Sequence, residues 1–301
     1  MATRRHHPHP RSGQIRRLGE ELDELDPSIL AQAPNPSALL EELAYALRPP
    51  VHERRVPSFG VFVEPTTDII DWTEAIGFGV SRRKVSELSD DAVRLFANGI
   101  VSWVVRSPKG VNDLVVFDRG VGSERDLSVL TSTTGATVVQ RHPAGVVRAV
   151  GPFGVLRYEG IDWQLEPPVT RWLDLGQCLV GGLDRDILNQ ILLFAVHDVA
   201  ARGVGAIFVI APGGRLVPST ERNYGTPPEF SVRRPADLAP LAHILGQLDG
   251  AAVFDETGTL RHLGVRLVPS AAAEAEVEAY RGTRHTSALR YSYDDPAATV
   301  I

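Results

Sequence analysis

Apolar residues recur at helical spacing at Leu39, Leu40, Leu43, Ala46 and Leu47. Asn35 stands ready to cap that run, and Pro36 takes the first helical position, where its missing N–H costs nothing. Pro49-Pro50 stops it. Ahead of the helix, residues 1–34 are polar, charged and poor in aromatics, and are predicted to be a disordered tail. From 51 to 166 the pattern shortens into runs rich in Val, Ile, Phe and Trp, bounded by Gly, Pro, Asp and Ser: Phe59–Val63, Ile100–Val105, Leu114–Phe117, Ala136–Val139 and Val155–Tyr158. The last of these turns at Glu159-Gly160 into Ile161–Leu165, a hairpin, and Ser86–Ala97 has helical spacing.

Pro167-Pro168 marks a boundary, after which helix and strand alternate. Asp184 caps a helix through Ile187, Leu188, Ile191, Leu192, Ala195 and Val199 that ends at Gly203. Gly205–Ile210 reads as a central strand. A loop from Ala211 to Arg234 and a helix from Pro235 to Leu248 follow. Ala251–Phe254 and Gly264–Val268 are predicted strands, joined through a turn at Glu256-Thr257-Gly258. The expected architecture is an α/β C-terminal domain, with a twisted mixed sheet flanked by helices, preceded by a smaller β-rich α+β domain. The expected divisions are 1–34, 35–166 and 167–301.

Composition narrows the function classes. Of 301 residues, 43% are hydrophobic and 23% charged, which excludes a wholly disordered chain, a collagen-like repeat and a coiled coil. The net charge of −6 argues against a nucleic-acid-coating role. The single cysteine, Cys178, cannot form an internal disulfide, and no Cys/His cluster suits a structural zinc, so a cytoplasmic protein is expected. The most apolar region, Ile187–Ile210, is interrupted by His197, Asp198 and Arg202, so no membrane span is predicted. The histidine-bearing N-terminus lacks the apolar core of a signal peptide.

Two clusters near the C-terminus carry candidate chemistry. Asp249-Gly250-Ala251 sits at a helix-to-strand junction, where the helix's negative end disfavours a carboxylate and bare backbone lets a ligand approach. Gly282-Thr283-Arg284-His285-Thr286-Ser287-Ala288 precedes a helix and offers an anion two hydroxyls, a planar guanidinium and free N–H groups. Taken singly, the first is also a common turn and the second an ordinary solvent-facing cap.

With their order and spacing, the two clusters resemble the catalytic domain of the diadenylate cyclases, found in the bacterial DNA-integrity scanning proteins and their membrane-bound relatives. The resemblance runs from Asp184 to Ile301 through the strand GAIFVI, the Asp-Gly-Ala motif, the strand GVRLVPS and Gly-Thr-Arg-His. The region before it resembles the sensor domains fused ahead of such cyclases. The resemblance implies condensation of two ATP into cyclic di-AMP with loss of two pyrophosphates, in a face-to-face homo-oligomer. By the same resemblance, Asp249 engages the ribose 3′-hydroxyl or a metal, with Gly250 and Ala251 beneath the nucleotide. Thr283, Arg284, His285 and Ser287 hold the triphosphate, and Leu267 lies beside adenine. Mg²⁺ or Mn²⁺ bridges the phosphates.

This chain departs from that pattern at two places. The family motif reads Arg-His-Arg, whereas Thr286 stands in the third place. The family's last strand also runs past the point corresponding to Ala298-Thr299-Val300-Ile301, so the chain reads either as a piece ending inside that strand or as a domain reduced there. The alternative function is therefore an ATP- or cyclic di-AMP-binding sensor without turnover, or an interaction module that kept only the fold. Elsewhere, Cys178 reads as a buried structural thiol and His197-Asp198 as helix-edge residues. Pro212-Gly213-Gly214-Arg215 reads as a turn lacking the spacing of a phosphate loop. Trp72, Trp103, Trp163 and Trp172 read as core aromatics or as the lining of a sensor pocket, and their spacing does not choose.

Overall fold

Backbone contacts divide the chain after Pro168 into two units. The computed structural model describes residues 12–51, 56–85, 88–107, 112–179, 183–217, 220–222, 224–280 and 282–301. The histidine-bearing start of the chain and the side chain of Cys178 lie outside what is described.

The first unit begins with helices α1 (Ser12–Leu25), α2 (Ser28–Gln32) and α3 (Pro36–Leu47). There follow β1 (Phe59–Val63), α4 (Ile69–Ile76), β2 (Val80–Lys84), α5 (Asp90–Arg94), β3 (Ser102–Arg106) and β4 (Asn112–Phe117). α6 (Glu124–Thr134), β5 (Thr137–Arg141), β6 (Val147–Gly151), β7 (Gly154–Tyr158) and β8 (Trp163–Glu166) complete it. The eight strands form one sheet in the order β2-β4-β3-β1-β5-β6-β7-β8, parallel only between β1 and β3. Strand alternation sends Val61, Val139, Ala149 and Leu156 to one face, under α1 and α3, and Phe62, Val138, Val150 and Val155 to the other, under α4 and α6. Trp72 and Trp103 are fully buried on that second face.

Two expectations are corrected here. This unit, expected as the smaller domain, is the longer one, 1–168 against 169–301, and carries the larger sheet. Residues 12–34 are also not a disordered tail, because Leu18, Leu22 and Ile29 bury against α3 and the sheet. Their four- and seven-residue spacing supplies one narrow apolar stripe in an otherwise polar segment, enough to dock it.

The second unit comprises α7 (Val169–Leu179), α8 (Arg185–Leu193), β9 (Ile207–Ile210), β10 (Glu221–Arg222), α9 (Pro235–Leu245), β11 (Ala251–Phe254), β12 (Leu260–Arg266), α10 (Ala271–Glu276), α11 (Thr283–Asp294) and β13 (Thr299–Val300). Its sheet runs β10-β12-β11-β9-β13, with β9 and β11 parallel across the α9 crossover and the other pairings antiparallel. Phe208, Ile210, Ala252 and Phe254 face α8 and α9, while Ile207, Val209, Ala251 and Val265 face Tyr291 of α11. Trp172 lies on α7 and is substantially exposed, so it is not a core aromatic. The helix expected up to Gly203 widens after α8 into a π-helical stretch, Phe194–Val199, before Gly203 closes it at φ 72°. His197 and Asp198 are buried there rather than at the edge of a face.

Candidate functional site

The site forms where the amino ends of β9 and β11 meet the carboxyl end of β12 and the first turn of α11. A cleft of about 550 Å³ opens there. Asp249, Gly250, Ala251, Leu267, Thr283, Arg284 and Ser287 line it, with Ile207 and Val265 as its apolar floor. Two motifs 34 positions apart thus share one concave surface, which is within the usual size of a ligand pocket.

Asp249 is 95% exposed, and its Oδ1 lies 3.7 Å from Nη2 of Arg284. It does not stand at a helix end. α9 stops at Leu245, where the N–H of Gly246 turns back to the carbonyls of Ala242 and His243, so Asp249 belongs to the short loop entering β11.

Gly250 lines the cleft and also meets the neighbouring strand. At φ +99° its missing side chain faces the neighbouring strand, and a Cβ there would stand 2.7 Å from the carbonyl carbon of Gly264. Gly264, at φ +64°, sits where the β11–β12 register shifts, and the Tyr224 ring covers its own bare side. The glycine of Asp-Gly-Ala therefore lets two backbones touch and aims Asp249 at the cleft.

α11 starts with no side-chain cap at Gly282, so its first-turn N–H groups have no side-chain acceptor. Thr283, Arg284 and Ser287 lie on this open turn at the cleft. His285 does not line the cleft; its ring stands edge-on to Tyr280 at 6.1 Å. Arg284 lies over Gly205, where a Cβ would come 2.9 Å from Nη1.

The Thr286 side chain is occupied locally. Its hydroxyl accepts from the Tyr280 N–H and lies 3.0 Å from the carbonyls of both Tyr280 and Gly282, closing the turn into α11. Arg290 donates toward the Val277 carbonyl and does not reach the cleft, while Arg266 lines its rim near Glu221.

Sequence reasoning missed Glu274, a second carboxylate on the cleft wall. It stands in the first turn of α10, which Ser270 caps through the Ala273 N–H. Asp294 of α11 holds the Ser270 hydroxyl and N–H at 2.5 and 2.8 Å and so fixes α10 beside the cleft. The Ser270-to-Glu274 spacing was the available signal.

Among the described residues no group of three or more His, Cys, Asp and Glu could hold a metal by itself. One exposed carboxylate with a second across the cleft suits a hard cation held mainly by phosphate oxygens and water, as Mg²⁺ commonly is.

The opposite end of the sheet is structural. Buried Asp255 accepts from Thr257, from the Thr259 N–H and from Arg261. Burial alone would raise its carboxyl, but these hydrogen bonds outweigh it and hold it below the ordinary value. Pro212–Gly214 is a turn there, with the Gly213 N–H on Glu256.

The family model described as "Probable sensor domain DACNK" matches residues 16–166, half of the 301-residue chain. The chain belongs to this family. The family is a sensor associated with diadenylate cyclases, and the match ends with β8, inside the first unit. No curated protein and no solved structure shows a match. No helix among the described residues is long and apolar enough to cross a membrane.

Proposed function

We propose that the second unit is a diadenylate cyclase domain, that its cleft binds ATP, and that the DACNK unit regulates it. The observation that carries this reading is the convergence of Asp249 with Thr283, Arg284 and Ser287 on one nucleotide-sized cleft beside an uncapped helix start. The sensor family matched by the first unit supports it from the other half of the chain.

In this reading the triphosphate lies on the first turn of α11. There the backbone N–H groups, the hydroxyls of Thr283 and Ser287 and the Arg284 guanidinium meet its negative charge. Leu267, half-buried beside Ile207 and Ala251, offers adenine an apolar wall. Asp249 accepts the proton of the ribose 3′-hydroxyl as that oxygen bonds to the α-phosphorus of a second ATP. The bond from that phosphorus to pyrophosphate breaks, and the step repeats in the opposite direction to close the ring. The second ATP comes from a like cleft, so the reaction requires two copies of the chain face to face. Asp249 would hold a Mg²⁺ or Mn²⁺, which would supply neutralisation of charge on the departing pyrophosphate. Because ATP is the substrate, the reaction belongs in the cytoplasm.

Incubating the full chain with ATP and Mn²⁺ should yield cyclic di-AMP, read by chromatography. One observation favours a second reading, a nucleotide-binding sensor without turnover. Thr286 replaces a guanidinium and is spent on the turn before α11, leaving the phosphates one cation fewer. ATP binding by calorimetry without product would select that reading. Absence of both would leave only an interaction module.

A further inference from the structure

On the face of the first sheet that carries α4 and α6, one cross-strand row is polar. Gln140 of β5 stands opposite Arg148 of β6, Arg148 opposite Arg157 of β7, and Arg157 opposite Gln164 of β8. Two residues along the strands, the same face is the apolar row Val138, Val150 and Val155. The polar row therefore lies at the amino end of α6, where Glu124, the first helical residue, reaches across to Arg157. Its carboxylate takes Nη2 at 2.5 Å and Nε at 2.7 Å, and its side chain is almost completely buried.

Like charges directly opposite on neighbouring strands repel. Glu124 answers that for Arg157, whereas Arg148 has no such answer. Among the described residues no carboxylate lies within ion-pair distance of Arg148, and its buried Nε–H has no acceptor. Burial, together with Arg157 and against the pull of Glu124 and Glu159, holds its guanidinium below the ordinary value.

Gln140, opposite it, is fully buried. Its amide nitrogen is committed to the carbonyls of Gly99 and Gly122 at 2.7 and 3.1 Å, and its Oε1 is left without a donor. A buried donor and a buried acceptor thus stand unmatched at adjacent positions of one row, and such groups are costly to leave unmade.

One ligand chemistry meets both. It must accept from the Arg148 Nε–H, donate to Gln140 Oε1, and carry negative charge between two guanidinium groups. A singly protonated phosphate has P–O⁻ acceptors and a P–OH donor, and its edge suits the guanidinium fork. An ionised carboxylate lacks the donor, and a water molecule lacks the charge. We propose that the first unit binds a phosphate group, free or carried on a small molecule, at Arg148, with Gln140 as its second contact and the Glu124–Arg157 pair as its wall. This site is independent of the cleft in the second unit.

The test uses the full chain labelled with ¹⁵N. The Arg148 Nε–H resonance is identified by its disappearance in Arg148→Lys, then followed during additions of inorganic phosphate, of AMP, and of sodium chloride at matched ionic strength. A saturable shift with phosphate or AMP that chloride does not produce supports the site. The ligand that half-saturates at a concentration at least tenfold lower names the source, free anion or phosphate ester. No shift, or the same shift with chloride, overturns the proposal. Arg148→Met supplies a second readout. Without ligand its thermal midpoint should equal or exceed that of the parent chain, and the midpoint rise that phosphate gives the parent should vanish. A large fall in midpoint without ligand would make Arg148 a structural residue and likewise overturn the proposal.

Discussion

At the scale of single residues, the cleft separates groups that react from groups that hold. Asp249 is nearly fully exposed and, among the described residues, its side chain meets only Arg284, so replacing it leaves the fold intact. Asp249→Asn should therefore abolish cyclic di-AMP formation with little loss of ATP affinity, and a variant as active as the parent would remove Asp249 from the reaction. Arg284 lies on the uncapped first turn of α11. Arg284→Ala should weaken ATP binding by about 1.5–3 kcal/mol, the range for a charge-assisted hydrogen bond, as read by calorimetry. Thr286 belongs to the holding class, because its hydroxyl ties Tyr280 and Gly282 to the start of the helix. Thr286→Val should lower stability by about 1–2 kcal/mol in thermal unfolding, since those bonds sit on a partly exposed turn. It should also loosen ATP binding, because Arg284 and Ser287 ride on the same turn.

At the scale of elements, the strongest ties in the first unit are buried carboxylates reaching from a helix to its neighbours. Glu42 of α3 takes Arg94 of α5 at 2.6 Å and Arg106 of β3 at 3.0 Å, with its side chain 4% exposed. Arg94 also lies over the Tyr45 ring, 4.6 Å from its centre. Glu42→Ala would leave Arg94 with Asp91 and Arg106 with Glu41 as their remaining carboxylate partners, and should cost about 1–3 kcal/mol in urea unfolding. A cost under 1 kcal/mol would show that water reaches both arginines.

What could be read in advance divides along the same line between local and distant causes. α3 was legible because its cap is local, with Asn35 accepting from the Ala38 N–H at 3.0 Å and Pro36 following. β1 and β11 were legible to the residue because a short apolar run between breakers needs no partner to be recognised. α1 was not legible, since its stripe is narrow and the surface that covers it belongs to α3 and β8. α6 was hidden by its Ser and Thr content, although the Ser123–Asp126 capping box marked its start. In the cleft, the two motifs were legible as residue types. The Gly250–Gly264 backbone contact depends on tertiary approach and leaves no local pattern, and a helix start at Ser270 does not by itself place Glu274 at the cleft.

At the scale of the whole molecule, each unit carries its own limit of pH. In the second, Asp255 is held below the ordinary carboxyl value by Thr257, Thr259 and Arg261 against the effect of burial. Its contribution is fully present above the unfolded carboxyl value and is lost as pH falls through the folded one. In the first, burial raises the Tyr45 hydroxyl from 10.0 to about 12, with the nearby Arg94 opposing the shift. A raised value stabilises the protonated folded form. That contribution is complete below pH 10 and disappears as pH climbs from 10 toward about 12. Burial also raises the Tyr291 hydroxyl in the second unit, so the alkaline limb has a source in each, and in the first buried Trp72 and Trp103 report unfolding through their fluorescence. Tyr45→Phe removes the titrating group but keeps the ring that meets Phe59 at 4.8 Å, so it should move the alkaline midpoint upward while leaving the acid limb in place. Asp255→Asn should do the reverse, flattening the acid limb alone at some cost in stability near neutral pH. If Tyr45→Phe leaves the alkaline midpoint where it was, the buried hydroxyl is not what sets that limit, and the loss at high pH must come from groups in both units together.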